Sequence, residues 1–326
     1  MTVETKATTD RPSWGRAAAF VGIFFLLYVV CAVVAEFRVG RGAQQSAFQT
    51  LLAARGQQVD WIVLGASHAL PLAYGDVPQR VEAATGETML VLAELGAGPV
   101  YARFVAQQAL QDVRPRRVLY VLDTFAFQAR EWNAGRVEDR TLLRTTPLRA
   151  STAVRMAGMV VEQGVDPRAM ADYLTAFSKL NPPRRFETDG WEGAAAFDRV
   201  ARPSRDAVAS RIDYLYPEGT RMQAAGPALY AFERLIDEMQ EADAEVVALR
   251  LPLPEHFRTA LPDSDALFAA LEDIMTARGV RYHDLSEALN DPTLYFDTDH
   301  LNRSGVDALW RDYLGDIIKA ANPGER

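Results

Sequence analysis

WIVLGASHAL, residues 61–70, is the stretch that decides the fold of this chain. Its first four residues, Trp61–Leu64, are all apolar, which is typical of a strand buried on both faces of a parallel sheet. Gly65 then ends the strand and lets the backbone turn tightly. Ser67 follows in this turn, so we expect its hydroxyl on an exposed tip beyond the carboxyl end of the strand.

Four more apolar runs and several helical patterns alternate along the rest of the chain. Strand–helix alternation predicts an α/β domain built as a three-layer αβα sandwich around a parallel sheet. Ligands of such sheets bind beyond the carboxyl ends of the strands. The predicted further strands are Thr88–Leu92, Arg117–Leu122, Glu245–Leu251 and Val280–Leu285, and the predicted helices are Pro99–Val113, Pro227–Ala242, Asp263–Arg278 and a C-terminal helix.

A second motif, YFDTDHLN at residues 295–302, carries an acid and a base. Asp297 and His300 are three positions apart, so one turn of the chain can point both side chains the same way. Asn302 begins a capping signal, which places the pair just before the C-terminal helix. A serine becomes a nucleophile when a base takes its proton and a third group orients the base. Ser67, His300 and Asp297 fit these three roles.

The two motifs, in this order, resemble the SGNH (GDSL-like) hydrolase superfamily over most of residues 58–320. The resemblance implies a flavodoxin-like sandwich with Ser67 as nucleophile, His300 as base and Asp297 as orienting acid, while Asp299 points elsewhere. Around Ser67 the chain departs from the usual GDS. Such variants are typical of membrane-anchored members that modify envelope polymers, including alginate acetylation proteins and the D-alanine transfer protein of teichoic acid synthesis.

The resemblance also implies an oxyanion hole with three donors: the nucleophile's backbone N–H, a glycine after the second strand and an asparagine after the third. Ser67 supplies the first, and Gly96 and Gly98 are candidates for the second. The third strand ends in Asp123 and Thr124, without an asparagine. Either Thr124 substitutes, another loop supplies the donor, or the hole is incomplete.

Three further residues are candidates for substrate binding. Arg250 ends the fourth strand and either holds an anionic substrate group or forms a structural ion pair. His68 is either a substrate contact or a simple turn residue, and Asp123 lies at the substrate-binding edge of the sheet.

A long, mainly helical insertion is expected between strands three and four, at about residues 125–225, with a helical section near Ser151–Leu180. Its aromatic residues either line a groove for a sugar or acyl chain or pack the insertion onto the domain. They include Phe125, Phe127, Trp132, Trp191, Phe197, Tyr214 and Tyr216.

The segment from Ala17 to Ala35 carries no charge. As a helix it is about 28 Å long, which matches the hydrocarbon core of a membrane. The chain is therefore divided into a cytoplasmic tail (1–16), a transmembrane anchor (17–36), a juxtamembrane segment (37–57) and an SGNH-like domain (58–326), with flanking positive charge favouring a cytoplasmic N-terminus. A cleaved signal peptide is the competing interpretation. Cys31 lies in the segment without a lipobox before it.

Composition limits the partners. A formal net charge of −8 argues against nucleic acid. The four histidines lack the spacing of common metal motifs, so neither a metal nor a cofactor is expected.

These observations predict a membrane-anchored O-acyltransferase or acylesterase with its domain in the periplasm, on the outer side of the inner membrane. It would act on envelope polysaccharide through an acyl-serine, with a polytopic membrane O-acyltransferase as the partner that supplies the acyl group. A catalytically silent glycan-binding or scaffold subunit is the alternative. A soluble lipase-like esterase is a third possibility, against which the anchor argues.

Overall fold

One parallel sheet of five strands forms the centre of the molecule. The computed structural model describes residues 14–42, 46–182, 185, 191–217, 219 and 222–321. The strand order is β2-β1-β3-β4-β5, so β1 is flanked by β2 and β3. All five predicted strands are confirmed, with bounds that are identical for β1 and differ by at most one residue at each end of the others. They are β1 (Trp61–Leu64), β2 (Met89–Val91), β3 (Arg117–Val121), β4 (Glu245–Arg250) and β5 (Arg281–Asp284).

The helices before β3 are α1 (Trp14–Arg41), α2 (Ala47–Ala53), α3 (Leu70–Tyr74), α4 (Val77–Thr85) and α5 (Pro99–Asp112). Those between β3 and β4 are α6 (Phe125–Gln128), α7 (Ala134–Glu138), α8 (Arg140–Thr145), α9 (Ala150–Gln163), α10 (Pro167–Leu174), α11 (Phe177–Leu180), α12 (Gly193–Ala196), α13 (Arg205–Leu215) and α14 (Met222–Glu241). After β4 come α15 (Glu255–Arg258), α16 (Asp265–Ala277), α17 (Arg303–Leu309), a π-helical turn at Trp310–Leu314, and α18 (Gly315–Ala321).

Both faces of the sheet carry a hydrophobic core, which explains why the central strand β1 is apolar at every position, whereas the edge strand β5 is half-buried to exposed and largely polar. In β1, Ile62 and Leu64 belong to the core that contains α5 and α14. Trp61 and Val63 point to the opposite core, which contains α3, α17 and α18. The main difference from prediction is α14, which begins at Met222 and so contains Pro227 in its interior instead of at its first turn.

The helix α1 is the part of the described chain that is apolar enough to cross a membrane. None of its residues is buried, and Cys31 is exposed on it. It extends beyond the predicted segment at both ends, and its last turn carries Arg38 and Arg41. Most of the predicted cytoplasmic tail, residues 1–13, lies outside the described residues.

Candidate active site

Ser67 lies directly after β1, at the start of a short 3₁₀ helix, Ser67–Ala69. Gly65 has a φ of +145°, and a Cβ at this position would come within 2.9 Å of Val121, so the turn needs glycine. The expectation of an exposed tip is wrong, because Ser67 is only 3% exposed. Residues from the segment between β3 and β4, among them Trp191 and the helix α13, cover the turn.

Ser67 opens into a cavity of about 310 Å³, which is at the lower end of the range for small-molecule sites. Most of its wall is aromatic or aliphatic, and Arg211 is the charged residue among its lining residues. Trp132 donates from Nε1 to the carbonyl of Leu215 at 2.9 Å and so ties the end of α13 to the opposite wall. The lining residues are Ser67, Leu95, Gly96, Phe125, Trp132, Trp191, Ser210, Arg211, Tyr214 and Leu215.

The two glycine candidates for the oxyanion hole have different surroundings. Gly96 lines the Ser67 cavity with a φ of +58°, and a Cβ there would come within 2.6 Å of the Trp132 ring. Gly98 donates its N–H to the carbonyl of Trp132 at 2.5 Å. The assignment of Gly98 as an oxyanion donor is therefore wrong, because its only N–H is already used at the start of α5.

His300 lies beside Asp297 in the loop before α17. Its Nδ1 is 2.8 Å from Asp297 Oδ2 and 3.0 Å from Oδ1, and Asp297 also accepts the backbone N–H of His300 at 2.8 Å. The ring is stacked on Phe296, with 5.6 Å between centroids, and Trp191 packs against it at 4.6 Å. Asn302 caps α17 by accepting the N–H of Gly305. Asp297 is thus placed to orient the imidazole.

The Nε2 atom of His300 is buried and has no hydrogen-bond partner among the described residues. No hydrogen bond joins it to Ser67 in this structure. The two residues are nevertheless neighbours in the fold, since Trp191 packs on the His300 ring and also lines the Ser67 cavity. His300 therefore has one ring nitrogen held by a carboxylate and one free to accept a proton.

His68 is clamped between two carboxylates. Its Nδ1 is 2.5 Å from Asp123 Oδ1, and its Nε2 is 3.0 Å from Asp299 Oδ2. Burial by itself lowers the pKa of His68, but the charges and hydrogen bonds of Asp123 and Asp299 outweigh it and raise the pKa to about 10. His68 is therefore a buried imidazolium. His68 fits neither of the two roles predicted for it, a substrate contact or a simple turn residue. Both of its ring nitrogens are bound to carboxylates, and it does not line the Ser67 cavity.

Asp299 does not point away from the site, and that expectation is wrong. It is fully buried, accepts a hydrogen bond from Arg211 Nε at 3.1 Å and forms an ion pair with Arg211 Nη2 at 3.1 Å, in addition to its contact with His68. Its Oδ1 lies 3.6 Å from His300 Nδ1, beyond hydrogen-bonding distance. Burial raises the pKa of the carboxyl, but His300, Arg211 and His68 outweigh it and hold the pKa well below its usual range.

The remaining candidates lie outside the Ser67 cavity. Asp123 accepts from His68, and the Thr124 hydroxyl is 2.6 Å from the Tyr216 hydroxyl. Arg250 forms an ion pair with Asp284 at 3.3 Å, which was the alternative to substrate binding, and packs over the Phe268 ring at 4.2 Å. All three line a separate, much smaller cavity of about 20 Å³. The side chains of Thr124, Asp123 and Arg250 bind protein groups and do not line the Ser67 cavity, so this geometry gives no support to Thr124 as oxyanion donor or to Asp123 and Arg250 as substrate contacts, and these assignments stay predictions.

The aromatic residues divide between the two alternatives set out for them. Trp191 and Tyr214 line the Ser67 cavity, whereas Phe197 and Tyr216 are buried in the protein. Arg211 was missed, since nothing in the sequence separates it from the other arginines. For Asp299, the sequence offered one indication of a role in the site, its position next to His300.

The fold also brings three potential metal ligands together: His68, Asp299 and His300 offer ligand atoms within 4.8 Å of one another. Sequence spacing could not reveal this group, because His68 is distant from the other two in the chain. However, carboxylates already hold both nitrogens of His68 and Nδ1 of His300. Either nitrogen of His68 would have to leave its carboxylate to bind a metal, and His300 Nε2 is the one ring nitrogen of the group without a hydrogen bond among the described residues, so this geometry does not fit a metal site without rearrangement.

Compared with models of known protein families and with curated protein sequences, the chain matches none of them. Any functional conclusion therefore depends on the geometry around Ser67 and His300.

Proposed function

We propose that this protein is an SGNH-type serine O-acyltransferase or acylesterase, folded as a three-layer αβα sandwich with a helical insertion between β3 and β4. The observation that carries the proposal is the state of His300. Asp297 holds its Nδ1 at 2.8 Å, while its buried Nε2 has no hydrogen-bond partner among the described residues, and Trp191, which lines the Ser67 cavity, packs on its ring. A histidine base needs this combination of one anchored and one open nitrogen.

In the proposed reaction, Ser67 Oγ attacks the carbonyl carbon of an acyl ester and its proton passes to His300 Nε2. The tetrahedral intermediate collapses, the C–O bond to the leaving alcohol breaks, and the alcohol takes the proton from Nε2. An acyl-serine remains. A sugar hydroxyl or water then gives its proton to Nε2 and attacks the acyl carbon, the bond between that carbon and Ser67 Oγ breaks, and Oγ takes the proton back from Nε2. Asp297 keeps the proton-accepting tautomer and stabilises the imidazolium that forms twice in the cycle.

Two backbone groups are placed to stabilise the oxyanion. Ser67 begins its 3₁₀ helix, so its N–H is not used within that helix, and Gly96 reaches the same cavity without a side chain. Arg211 is the third group that we assign near this point, since it lines the cavity while Asp299 fixes its position. Developing negative charge next to a guanidinium is favourable in a largely apolar cavity.

The wall of the cavity suits a small acyl group carried by a sugar. Trp132, Trp191 and Tyr214 provide aromatic faces, and the volume of about 310 Å³ is small for a long lipid chain. We therefore favour envelope polysaccharide as the substrate and a short acyl group such as acetyl. The helix α1 would anchor the domain on the periplasmic side of the inner membrane, next to a polytopic membrane O-acyltransferase that supplies the acyl group.

One observation favours the alternative of a catalytically silent glycan-binding or scaffold subunit. Ser67 and His300 are not hydrogen-bonded to each other, so the proton-transfer contact has to form when a ligand binds. Catalytic hydrogen bonds are often long before substrate binds, and for that reason we place the enzyme first.

The deciding experiment compares wild type with Ser67→Ala in detergent micelles, using p-nitrophenyl acetate and an alkyl fluorophosphonate. We expect Ser67→Ala to lower turnover by about four orders of magnitude or more and to abolish labelling, because the nucleophile is gone. Ser210→Ala is the matched control, since Ser210 lines the same cavity and has no role in the proposed reaction. Equal turnover in wild type and Ser67→Ala, with no label on Ser67, would support the silent scaffold.

A further inference from the structure

The C-terminal part of α1 is bound to the rest of the protein. Glu36 Oε2 accepts the backbone N–H of Leu148 at 2.9 Å, and Glu36 Oε1 accepts from Lys179 Nζ. The Lys179 side chain is 1% exposed, so the ion pair is shielded from solvent on the lysine side. Three residues further on, the carbonyl of Val39 accepts from Gln49 Nε2 at 2.9 Å. These contacts hold α1 against α2, the chain just before α9, and α11.

Glu36 also marks a level along α1. It directly follows the charge-free segment Ala17–Ala35, whose length of about 28 Å matches a hydrocarbon core. If that segment spans a membrane, Glu36 lies at the boundary between hydrocarbon and headgroups. Leu148 and Lys179 contact Glu36 directly and must lie at the same level.

Three large apolar side chains are exposed next to these contacts. Leu148 is 41% exposed, Phe177 is 41% exposed two residues before Lys179, and Leu174, the last residue of α10, is 49% exposed three residues before Phe177. Single exposed apolar residues are ordinary, but three beside the end of an apolar helix form a surface. Cationic groups accompany them. Arg140 lies 5.4 Å above the Phe177 ring, and the last turn of α1 carries Arg38 and Arg41.

We propose that this surface, defined by Leu148, Leu174 and Phe177, rests in the headgroup region of the membrane that α1 spans, with Arg38, Arg41 and Arg140 next to anionic lipid phosphates. A lipid surface fits better than a protein partner because the anchor of the same chain sets the height of these side chains. Apolar side chains at this depth and arginines at headgroup level are the usual pattern of interfacial binding. The domain would then be held at one orientation and would not swing on a tether.

The inference depends on the membrane anchor in the proposed function and is independent of the chemistry at Ser67. It is tested on the full chain with Cys31→Ser as background and single cysteines introduced by Leu148→Cys, Leu174→Cys and Phe177→Cys, each carrying a nitroxide. The protein is reconstituted in vesicles of phosphatidylethanolamine and phosphatidylglycerol. Collision rates are measured with oxygen, which concentrates in the bilayer, and with a water-soluble nickel chelate.

Two control positions calibrate the measurement. Leu26→Cys places a label in the middle of α1. Val200→Cys places a label at a residue that is 56% exposed. Val200 precedes Ala201, which donates its N–H to the carbonyl of Tyr295 near the active-site loop. We expect labels at 148, 174 and 177 to collide more with oxygen than with nickel, the label at 26 to lie deeper, and the label at 200 to favour nickel.

Other outcomes overturn the inference in distinguishable ways. Nickel accessibility at 148, 174 and 177 equal to that at 200, with position 26 in the bilayer, would mean that the domain stands away from the lipid. Protection from both reagents would mean that protein covers the surface. A water-exposed label at 26 would remove the anchor itself while leaving the test of Ser67 untouched.

Discussion

Two histidines lie side by side in this molecule, with 4.7 Å between their ring centroids, and their surroundings are opposite. His300 has one ring nitrogen on Asp297, and the other has no hydrogen-bond partner among the described residues. His68 has both nitrogens on carboxylates, Asp123 and Asp299. A histidine with a free nitrogen can accept a proton, whereas one with two occupied nitrogens carries a fixed charge. In the proposed mechanism, His300 transfers protons, whereas His68 and its two carboxylates hold parts of the fold together.

The largest expected effect comes from removing the free nitrogen. We expect His300→Gln to lower kcat for p-nitrophenyl acetate by about four orders of magnitude or more, because His300 is the group that takes the Ser67 proton in the proposed mechanism. His283→Gln, on β5 and away from the site, is the control and should retain wild-type turnover. An active His300→Gln enzyme with an unchanged melting temperature would remove His300 from the mechanism.

The next effect concerns the acid that orients His300. Asp297→Asn should lower kcat by roughly three to four orders of magnitude, since the amide favours the wrong imidazole tautomer. Its cost in stability should be small, because the Asp297 side chain is 36% exposed. Asp291→Asn is a matched control, as Asp291 also accepts a backbone N–H two residues on, from Thr293. Turnover that is equally reduced in both variants would contradict the assigned role.

Asp299 should behave differently from Asp297, although the two are two residues apart. Asp299→Asn leaves Arg211 and His68 without their shared buried carboxylate, so we expect it to lower the free energy of unfolding by about 3–5 kcal/mol. Urea unfolding followed by tryptophan fluorescence measures this effect. Asp316→Asn, with a side chain 84% exposed, should cost almost nothing. Similar midpoints for the two variants would show that the network does not stabilise the fold.

The last prediction concerns how steeply the free energy of unfolding changes with each pH unit. The pKa of His68 is raised from 6.5 unfolded to about 10 folded, so its stabilisation is complete below pH 6.5 and is lost as pH rises through about 10. Between these values the folded state binds the extra proton, and the free energy of unfolding should fall by at most about 1.4 kcal/mol per pH unit. His68→Gln should flatten this fall, whereas His256→Gln should preserve it. A slope that is the same in wild type and His68→Gln would contradict the buried imidazolium.

The parts of the fold that could be predicted were those determined by residues close to one another in the sequence. Strands such as Trp61–Leu64 are continuous apolar stretches because both faces of the sheet are covered, and their positions were correct within two residues. The proximity of Asp297 and His300 was predictable for a similar reason, since three residues of spacing within one turn determine it. Gly65 was also readable, because only a tight turn explains a glycine at the end of such a strand.

Errors occurred where a residue's role depends on partners distant in the chain. Gly98 and Gly96 look alike in sequence, but the carbonyl of Trp132 takes the N–H of Gly98. Thr124 follows β3 and Arg250 ends β4, yet Tyr216 and Asp284 bind their side chains. Ser67 was expected in the open and is covered by residues that lie more than a hundred positions later in the chain.

By itself, then, the sequence determined the local features: an apolar helix long enough to span a membrane, the positions of five strands, a glycine turn before Ser67 and an acid–base pair before α17. Only the tertiary structure decided which histidine is free and which is saturated, that Arg211 reaches Asp299 across 88 residues, and that the end of α1 is held by Lys179. The physical reason is the range of the interactions. Hydrophobic periodicity and turn geometry act between neighbours in the chain, whereas hydrogen bonds and ion pairs act between groups that only the complete fold brings together.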